Sequence, residues 1–247
     1  MKATLIPVDS AVLGGNVLSI DDFSALEDFA AFERAYQDLH NPVYVTVKVP
    51  LERLAEVHAL ETQGFRLIEC QIRSRIDLTH AYDIQGYPYR FAQVVTQEEL
   101  EGVLDIAQST FEHDRFSMDP LLGRALSGQR YARYVWRSFQ QPDEAVYRLF
   151  DPKGGRTVAF KTHRLLAGGE ALLLLGGVHP DFRRLGLGVV NDYAELNRLR
   201  DLGVRRAYTH ISAGNYPVFN MEIGNLGFRV LTTFAVLRKA YSATGQP

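Results

Sequence analysis

The spacing of apolar residues along this chain switches repeatedly between a period near 3.6 and a period of two, laying out alternating helices and strands. Behind Asp22, the stretch FSALEDFAAFERAYQDL sets Phe23, Leu26, Phe29, Ala30 and Tyr36 at helical spacing and predicts a helix. VYVTVKV, residues 43–49, alternates strictly and predicts a strand. Pro50 opens a predicted helix, LERLAEVHALETQ, which Gly64 ends in the usual C-terminal glycine position. The following FRLIECQIRSRIDL places Ile68, Cys70, Ile72 and Ile76 on one face of a long strand.

THAYDIQGYP reads as a linker, and the pattern restarts behind it, dividing the chain into residues 1–85 and 86–247. YRFAQVV predicts a strand, and Thr96 to Glu99 (TQEE) form a capping box for a helix ending near Phe111. A polar loop, EHDRFSMDP, leads into a second helix through ALSGQRYARYVWRSF. AVYRLF, TVAFKTHRLL and EALLLLGGV predict three strands, followed by a glycine-rich turn and a helix ending at Gly203. RRAYTHIS, YPVFNMEIGN and FRVLTTFAVLRKAY predict a strand, a short helix and a last strand. LETQGFRLIECQIRSRI and EIGNLGFRVLTTFAVLR both run from a helix end through Gly-Phe-Arg into a long strand. Two readings stay open: chance, or a front unit that is a half-copy of the rear one without its glycine-rich turn.

The 247 residues, 46% hydrophobic and 23% charged, suffice for one large domain or two small ones. A net charge of −2 excludes a broadly basic surface for nucleic acid, so an anionic ligand needs a local cluster. The single Cys70 excludes an internal disulfide and a Cys-rich zinc site, and the histidines are scattered, so no metal is expected. MKATLIPVDS is broken by Pro7 and Asp9 before a signal-type apolar region, and the run around Leu172–Leu175 is too short for a bilayer. The expectation is a soluble, cytoplasmic protein.

VHPDFRRLGLG, Val178 to Gly188, follows the most apolar stretch of the chain. A Walker loop requires a lysine that is absent, and a dinucleotide fingerprint requires glycine where Asn191 stands. What remains is R-x-x-G-x-G, Arg183 to Gly188. Gly186 and Gly188 let backbone approach a ligand closely and turn N–H groups outward at the start of a helix, where the dipole favours an anion. Arg183 and Arg184 add charge beside it. A pyrophosphate fits such a cradle.

At this motif the chain resembles the GCN5-related N-acetyltransferase superfamily, from Tyr89 to about Lys239, with GNYPVFN…LGF matching its downstream segment. The resemblance implies a mixed α/β fold, a mostly antiparallel twisted sheet flanked by helices, preceded by a smaller truncated unit of the same kind. It implies coenzyme binding by Gly177, Val178, Arg183, Arg184, Leu185, Gly186, Leu187, Gly188, Asn215 and Phe219, with the Val178 N–H as oxyanion donor. Gly176 and Gly177 suggest a bulge admitting the pantetheine arm. More loosely, LETQGFRLIE and FEHDRFSMDP resemble the TDP-fucosamine acetyltransferases and related N-acyltransferases of nucleotide-linked amino sugars. That likeness implies acyl-coenzyme A as co-substrate, no permanently bound cofactor, and a dTDP-linked amino sugar acceptor for surface polysaccharide such as lipopolysaccharide O-antigen. It further implies no nucleic-acid or membrane partner, and a homodimer as one assembly. Acetylation of another small-molecule or protein amine, and a non-catalytic coenzyme A-binding module, are the alternatives.

Catalytic candidates follow from these expectations. The tyrosine the family carries seven residues beyond its asparagine is Glu222 here, in a segment one residue longer than usual. Either Glu222 serves as acid, or the helix is shifted and another group such as Tyr216, Tyr208 or His210 serves, or the thiolate leaves with a proton from water. His163 is the candidate base, with a strand histidine of no catalytic role as the alternative. For the acceptor, Arg115, Arg124, Arg130 and Arg133 with Phe116, Tyr131, Tyr134 and Trp136 form a basic and aromatic cluster suited to a nucleotide diphosphate, with a solvated helix face and core aromatics as the alternative. Lys161 is added from the strand beside the cleft.

Overall fold

Strand and helix signals of both halves converge on one continuous sheet in the computed structural model, which describes residues 1–24 and 28–241. The chain begins β1 (Lys2–Leu5), α1 (Pro7–Leu13), β2 (Val17–Asp21), α2 (Phe29–His40), β3 (Tyr44–Pro50), α3 (Leu54–Thr62) and β4 (Arg66–Asp77). It continues β5 (Arg90–Gln93), α4 (Gln97–Thr110), α5 (Arg115–Met118), α6 (Arg124–Gln140), β6 (Glu144–Phe150), β7 (Thr157–Leu166) and β8 (Glu170–Val178). A 3₁₀ turn (Pro180–Phe182), α7 (Leu187–Asp201), β9 (Arg206–Ser212), α8 (Tyr216–Phe219), a π-helical turn (Asn220–Asn225) and β10 (Arg229–Ala240) complete it.

Local chemistry explains the boundaries. α4 starts at the predicted capping box, with Thr96 and Glu99 bonded reciprocally. α2 starts later than the apolar spacing suggests, because Asp28 rather than Asp22 caps it, accepting from the Ala31 N–H at 3.0 Å. Leu26, counted in that pattern, lies outside the described residues. β1, α1 and β2 carry no long periodic run and are missing from the sequence reading. The linker stretch is pinned to α7: Tyr82 stacks on Tyr193 at 4.5 Å, and its backbone exchanges hydrogen bonds with the Asn197 amide at 2.8 and 2.9 Å.

The sheet order is β1-β2-β3-β10-β4-β9-β8-β7-β6-β5. Neighbours are antiparallel except β2·β3 and β8·β9. The last strand of the chain therefore lies between two strands of the front half, and β4 lies between two strands of the rear half. At the centre, Arg66 pairs with Arg238 and Arg75 with Arg229, a register that is the same read from either strand. These are the two Gly-Phe-Arg strands noted in the sequence. Leu18, Val45, Phe65 and Leu237 fill the core on the front side, where α2 and α3 pack. α4 and α6 cover the rear half on one face through Val103, Ile106 and Val135, and α7 covers the other through Leu196 and Leu199.

Two buried carboxylates tie α1 and the loop after α5 to the rest of the fold. Asp9 on α1 is fully buried and accepts from Arg115 at 2.6 Å and Arg130 at 2.8 Å. Burial alone would raise its pKa, but the Arg130 and Arg115 guanidiniums override it and hold the carboxyl below the usual range. Asp119 accepts from the Tyr44 hydroxyl at 2.6 Å and from Arg238 at 3.0 Å. Removing Asp9 leaves two guanidiniums facing a cavity, so Asp9→Ala is expected to cost about 3–5 kcal/mol in chemical denaturation. Because the Asp9 pKa is depressed, its contribution is present above the unfolded-state value and disappears as pH falls through the folded-state one. Asp9→Asn will therefore show a weaker loss of stability on acidification than the parent chain.

Candidate active site

β8 and β9 are parallel neighbours, yet they pair only through Glu170, Ala171 and Leu172 with Arg206, Ala207 and Tyr208. Beyond those residues the strands part. On its other edge β8 stays paired with β7, out to Val178 opposite Ala159. The His179 N–H donates to the Val158 carbonyl at 2.8 Å. Peptide groups alternate sides along an antiparallel ladder, so the N–H groups of Val178 and Gly176 turn away from β7 and into the gap.

The bulge expected at Gly176 and Gly177 lies earlier. The β7·β8 register shifts between Leu173 and Leu175, and the Leu175 N–H donates to the Thr162 hydroxyl at 3.0 Å. The glycines serve packing instead. A Cβ at Gly176 would come within 2.8 Å of the Lys161 side chain, and one at Gly177 within 2.9 Å of the Phe160 ring. Gly177, expected to contact coenzyme, has its amide on the β7 side of the ladder.

Below the gap the chain turns through Arg183 to Gly186 into α7. Arg184 (φ 67°) and Gly186 (φ 74°) both hold left-handed backbone, which gathers successive amides on one side. Among the described residues, the N–H groups of residues 184–188 make no hydrogen bond. A Cβ at Gly186 would meet open space. Arg184 and Leu185 are exposed, Leu187 is buried as an anchor, and Arg183 stands 3.7 Å from Glu112. The hollow is open and lined by main chain.

α7 is held against β7 by buried polar groups in addition to its apolar contacts through Leu187, Val190, Leu196 and Leu199. The Asn191 amide donates to the Phe160 carbonyl at 2.8 Å, Asp192 pairs with Lys161, and Glu195 bonds the His163 Nδ1 at 2.5 Å. Burial would lower the Lys161 ammonium, but the Asp192 carboxylate holds it above the ordinary lysine range. His163, expected to border the acceptor cleft, is 1% exposed between β7 and α7, with its ring stacked on Tyr147. Lys161, expected to touch the acceptor, is likewise committed to α7.

The segment before Gly227, longer by one residue than the resemblance implies, contains a π-helical turn. The Leu226 N–H reaches the Met221 carbonyl at 3.0 Å, one position further than in an α-helix. The turn carries Glu222 at 5% exposure, with Oε2 lacking any partner among the described residues. Burial, reinforced by Asp192 and opposed by Lys161, pushes its carboxyl up to about 8. Tyr216 stands 69% exposed, Asn215 caps α8 by accepting from the Val218 N–H at 3.4 Å, and Phe219 lies one turn on.

The core of the cluster expected to grip a nucleotide diphosphate is internal. Phe116 is fully buried, Tyr131 stacks on Phe111 at 3.8 Å, and Arg115 and Arg130 are spent on Asp9. The sequence spacing showed their proximity but not the carboxylate, because Asp9 sits more than a hundred residues away. Asn191, Asp192 and Glu195 were missed for a related reason, since on a helix such residues read as a solvated face. Among the described residues, no group of His, Cys, Asp and Glu could hold a metal ion, and no helix is long and apolar enough to cross a membrane.

No family model matches the chain, and no curated protein matches it by sequence. Solved structures do match. A GCN5-related N-acetyltransferase from Sphaerobacter thermophilus is similar at a TM-score of 0.67 and 14% identity, over 96% of this chain and 76% of that one. A tandem GNAT protein from the clavulanic acid biosynthesis pathway is similar at 0.64 and 15% identity, over 92% of this chain and 76% of that one. A glucosamine N-acetyltransferase region of a fungal multi-domain β-N-acetylglucosaminidase gives 0.67 and 11% identity, over 96% of this chain and 31% of that one. At these identities the likeness is one of architecture, and the architecture is the fold of the GCN5-related N-acetyltransferases.

Proposed function

We propose that this chain transfers an acyl group from coenzyme A to a primary amine. The observation that carries the reading is the run of unbonded amides at residues 184–188, set at the foot of a strand whose Gly176 and Val178 N–H groups face a gap. The coenzyme pyrophosphate takes the amides and the α7 N-terminus, with Arg183 and Arg184 beside it. The pantetheine arm enters between β8 and β9, where it replaces the missing ladder. In that position the N–H groups of Val178 and Gly176 meet the thioester carbonyl and the charge that develops on its oxygen.

The neutral amine attacks the carbonyl carbon, the C–S bond breaks, and the amine proton passes to solvent. The leaving thiolate takes a proton from Glu222, whose raised pKa keeps it protonated at neutral pH. The ammonium of Lys161, packed against Gly176, places this acid cluster at the gap from the α7 side. His163 and Tyr216 have no part in this scheme, the first because it is enclosed and the second because it faces solvent.

For the acceptor, a dTDP-linked amino sugar of surface polysaccharide synthesis remains the reading, without Arg115, Phe116, Arg130 and Tyr131 as its anchors. One similar structure is described as a glucosamine N-acetyltransferase region, which favours an amino sugar over a protein amine. We read the chain as two halves divided near residue 85, with the donor groove in residues 86–247. In the front half β2 and β3 pair without interruption from Val17 to Ile20, so no second groove opens there. One coenzyme per chain is expected.

Gly186→Trp should abolish coenzyme A binding in calorimetry while the protein still melts cooperatively, since the positive φ costs a side chain only about 1–2 kcal/mol. Wild-type affinity in that variant would remove the cradle from the mechanism. Glu222→Gln should lower kcat by about a hundredfold. In the parent chain kcat should fall as pH rises through about 8, where Glu222 loses its proton, and the variant should lack that limb. An unchanged profile would rule out Glu222 as the acid.

A further inference from the structure

On the face of the sheet opposite α7, the central strands carry a group of polar residues. Arg73 on β4 is paired in register with His210 on β9, and its guanidinium lies 5.0 Å above the Tyr208 ring. Gln71, two residues away, accepts from the Lys48 ammonium of β3 at 2.5 Å, so that long side chain reaches across β10 to β4. Gln71 is itself opposite Ser212, and His210 lies 6.4 Å from the Phe234 ring of β10. Met118 of α5 reaches down to Gly214 at the end of β9, at 3.8 Å from where its Cβ would stand, so α5 overhangs this floor.

Arg73 Nε is buried without a partner, while the buried Ser212 hydroxyl and Glu69 carboxylate face one another. Leaving such a donor unpaired costs about 1–3 kcal/mol, so the Arg73 guanidinium marks a place that an acceptor on a ligand would complete. Among the described residues Arg73 and Lys48 form no salt bridge, and the Glu69 carboxylate near Lys48 only partly offsets the surrounding positive charge. The crowding of charge is visible in their neighbours. Enclosure, with Arg115 beside it, pushes the Lys48 ammonium down to about 8, although the residue as a whole is exposed. Enclosure, with Lys48 and Arg73 beside it, pushes the His210 imidazole down to about 4. An anion seated between Arg73 and Lys48 relieves both.

The floor also opens onto the gap. β8 and β9 pair last at Leu172 and Tyr208, and His210 and Ser212 follow Tyr208 on the same face of β9, along the stretch from which β8 has parted. We infer that this floor seats the acyl acceptor: a primary amine carrying a carboxylate or phosphate, the anion on Arg73 and Lys48 and the nitrogen against His210 and Ser212. Since β4 is the immediate neighbour of β9, amine and anion stand one to two strand spacings apart, about 5–10 Å. The inference rests on the proposed donor groove between β8 and β9, and it places the acceptor-selecting residues on strands β3 and β4 of the front half.

The test uses two pairs of amines that differ only in the anion: glucosamine 6-phosphate against glucosamine, and 6-aminohexanoate against hexylamine. Each is titrated by calorimetry into the full chain saturated with coenzyme A. At least one anionic amine should bind about tenfold or more tightly than its neutral twin, and Arg73→Gln and Lys48→Gln should each remove most of that preference. Coenzyme A affinity should stay at the parent level in both variants. Preference in the phosphate pair or in the carboxylate pair identifies which anion the seat takes. Equal binding of the twins, no binding by any of the four amines, or a preference that survives both substitutions overturns the inference. Lys48 has an exposed side chain, so its variant reports even where Arg73→Gln fails to fold. If coenzyme A does not bind the parent chain, the donor groove is what fails, and the same titrations without coenzyme judge the floor alone.

Discussion

The polar seam between α7 and β7 is the contact on which the geometry of the site depends. A helix packed by apolar side chains alone can slide or rotate by a fraction of a turn at modest cost, because such contacts are not directional. Asn191, Asp192 and Glu195 reach successive partners along β7, and each bond fixes direction as well as distance. Breaking any of them strands a buried polar or charged group. The start of α7 is thereby held at one height relative to β7, and through the β7·β8 ladder relative to the amides of Gly176 and Val178. A cradle for one end of a long, thin ligand is useful only if its distance from the other end is set.

The gap needs a second constraint, because a free strand edge such as that of β8 would otherwise recruit β9 along its whole length. β9 is engaged on its far side by β4, from Gln71 to Asp77. β4 in turn is locked against β10 over nearly its full length, and β10 against β3. A long central ladder, shared between the halves, thus carries β9 off at an angle while β8 follows β7. The exchange of the two Gly-Phe-Arg strands is therefore a mechanical feature of the site as well as a topological one.

Much of this was legible in the sequence where the signal is local. The capping box at Thr96, the alternation of residues 43–49 and the turn from Arg183 to Gly188 each depend on neighbours within a few residues, and each appears where it was read. Glu222 was singled out by counting, and the π-helical turn that carries it leaves it buried. What stayed hidden depends on distant partners. Nothing near Arg115 or Arg130 reveals Asp9, and nothing near His163 reveals Glu195. Lone short strands such as β1 and β2 also escaped, since four or five residues hold too little periodicity to separate from a loop.

The two parallel pairs of the sheet sharpen the division of labour between the halves. β2·β3 and β8·β9 occupy equivalent positions on either side of the central β4·β10 ladder, and each is followed by a helix-bearing crossover. Among the described residues only β8·β9 parts, and its crossover begins with a glycine-rich turn that leaves amides free. A gap without a cradle would expose a strand edge to no purpose, and a cradle without a gap would hold a diphosphate whose reactive end had nowhere to go. A single gap with a single cradle is what the one donor site proposed above requires. The front half is then free to spend its strands differently: β3 and β4 hold β9 at its angle, and they carry Lys48, Gln71 and Arg73 to the floor beside the gap.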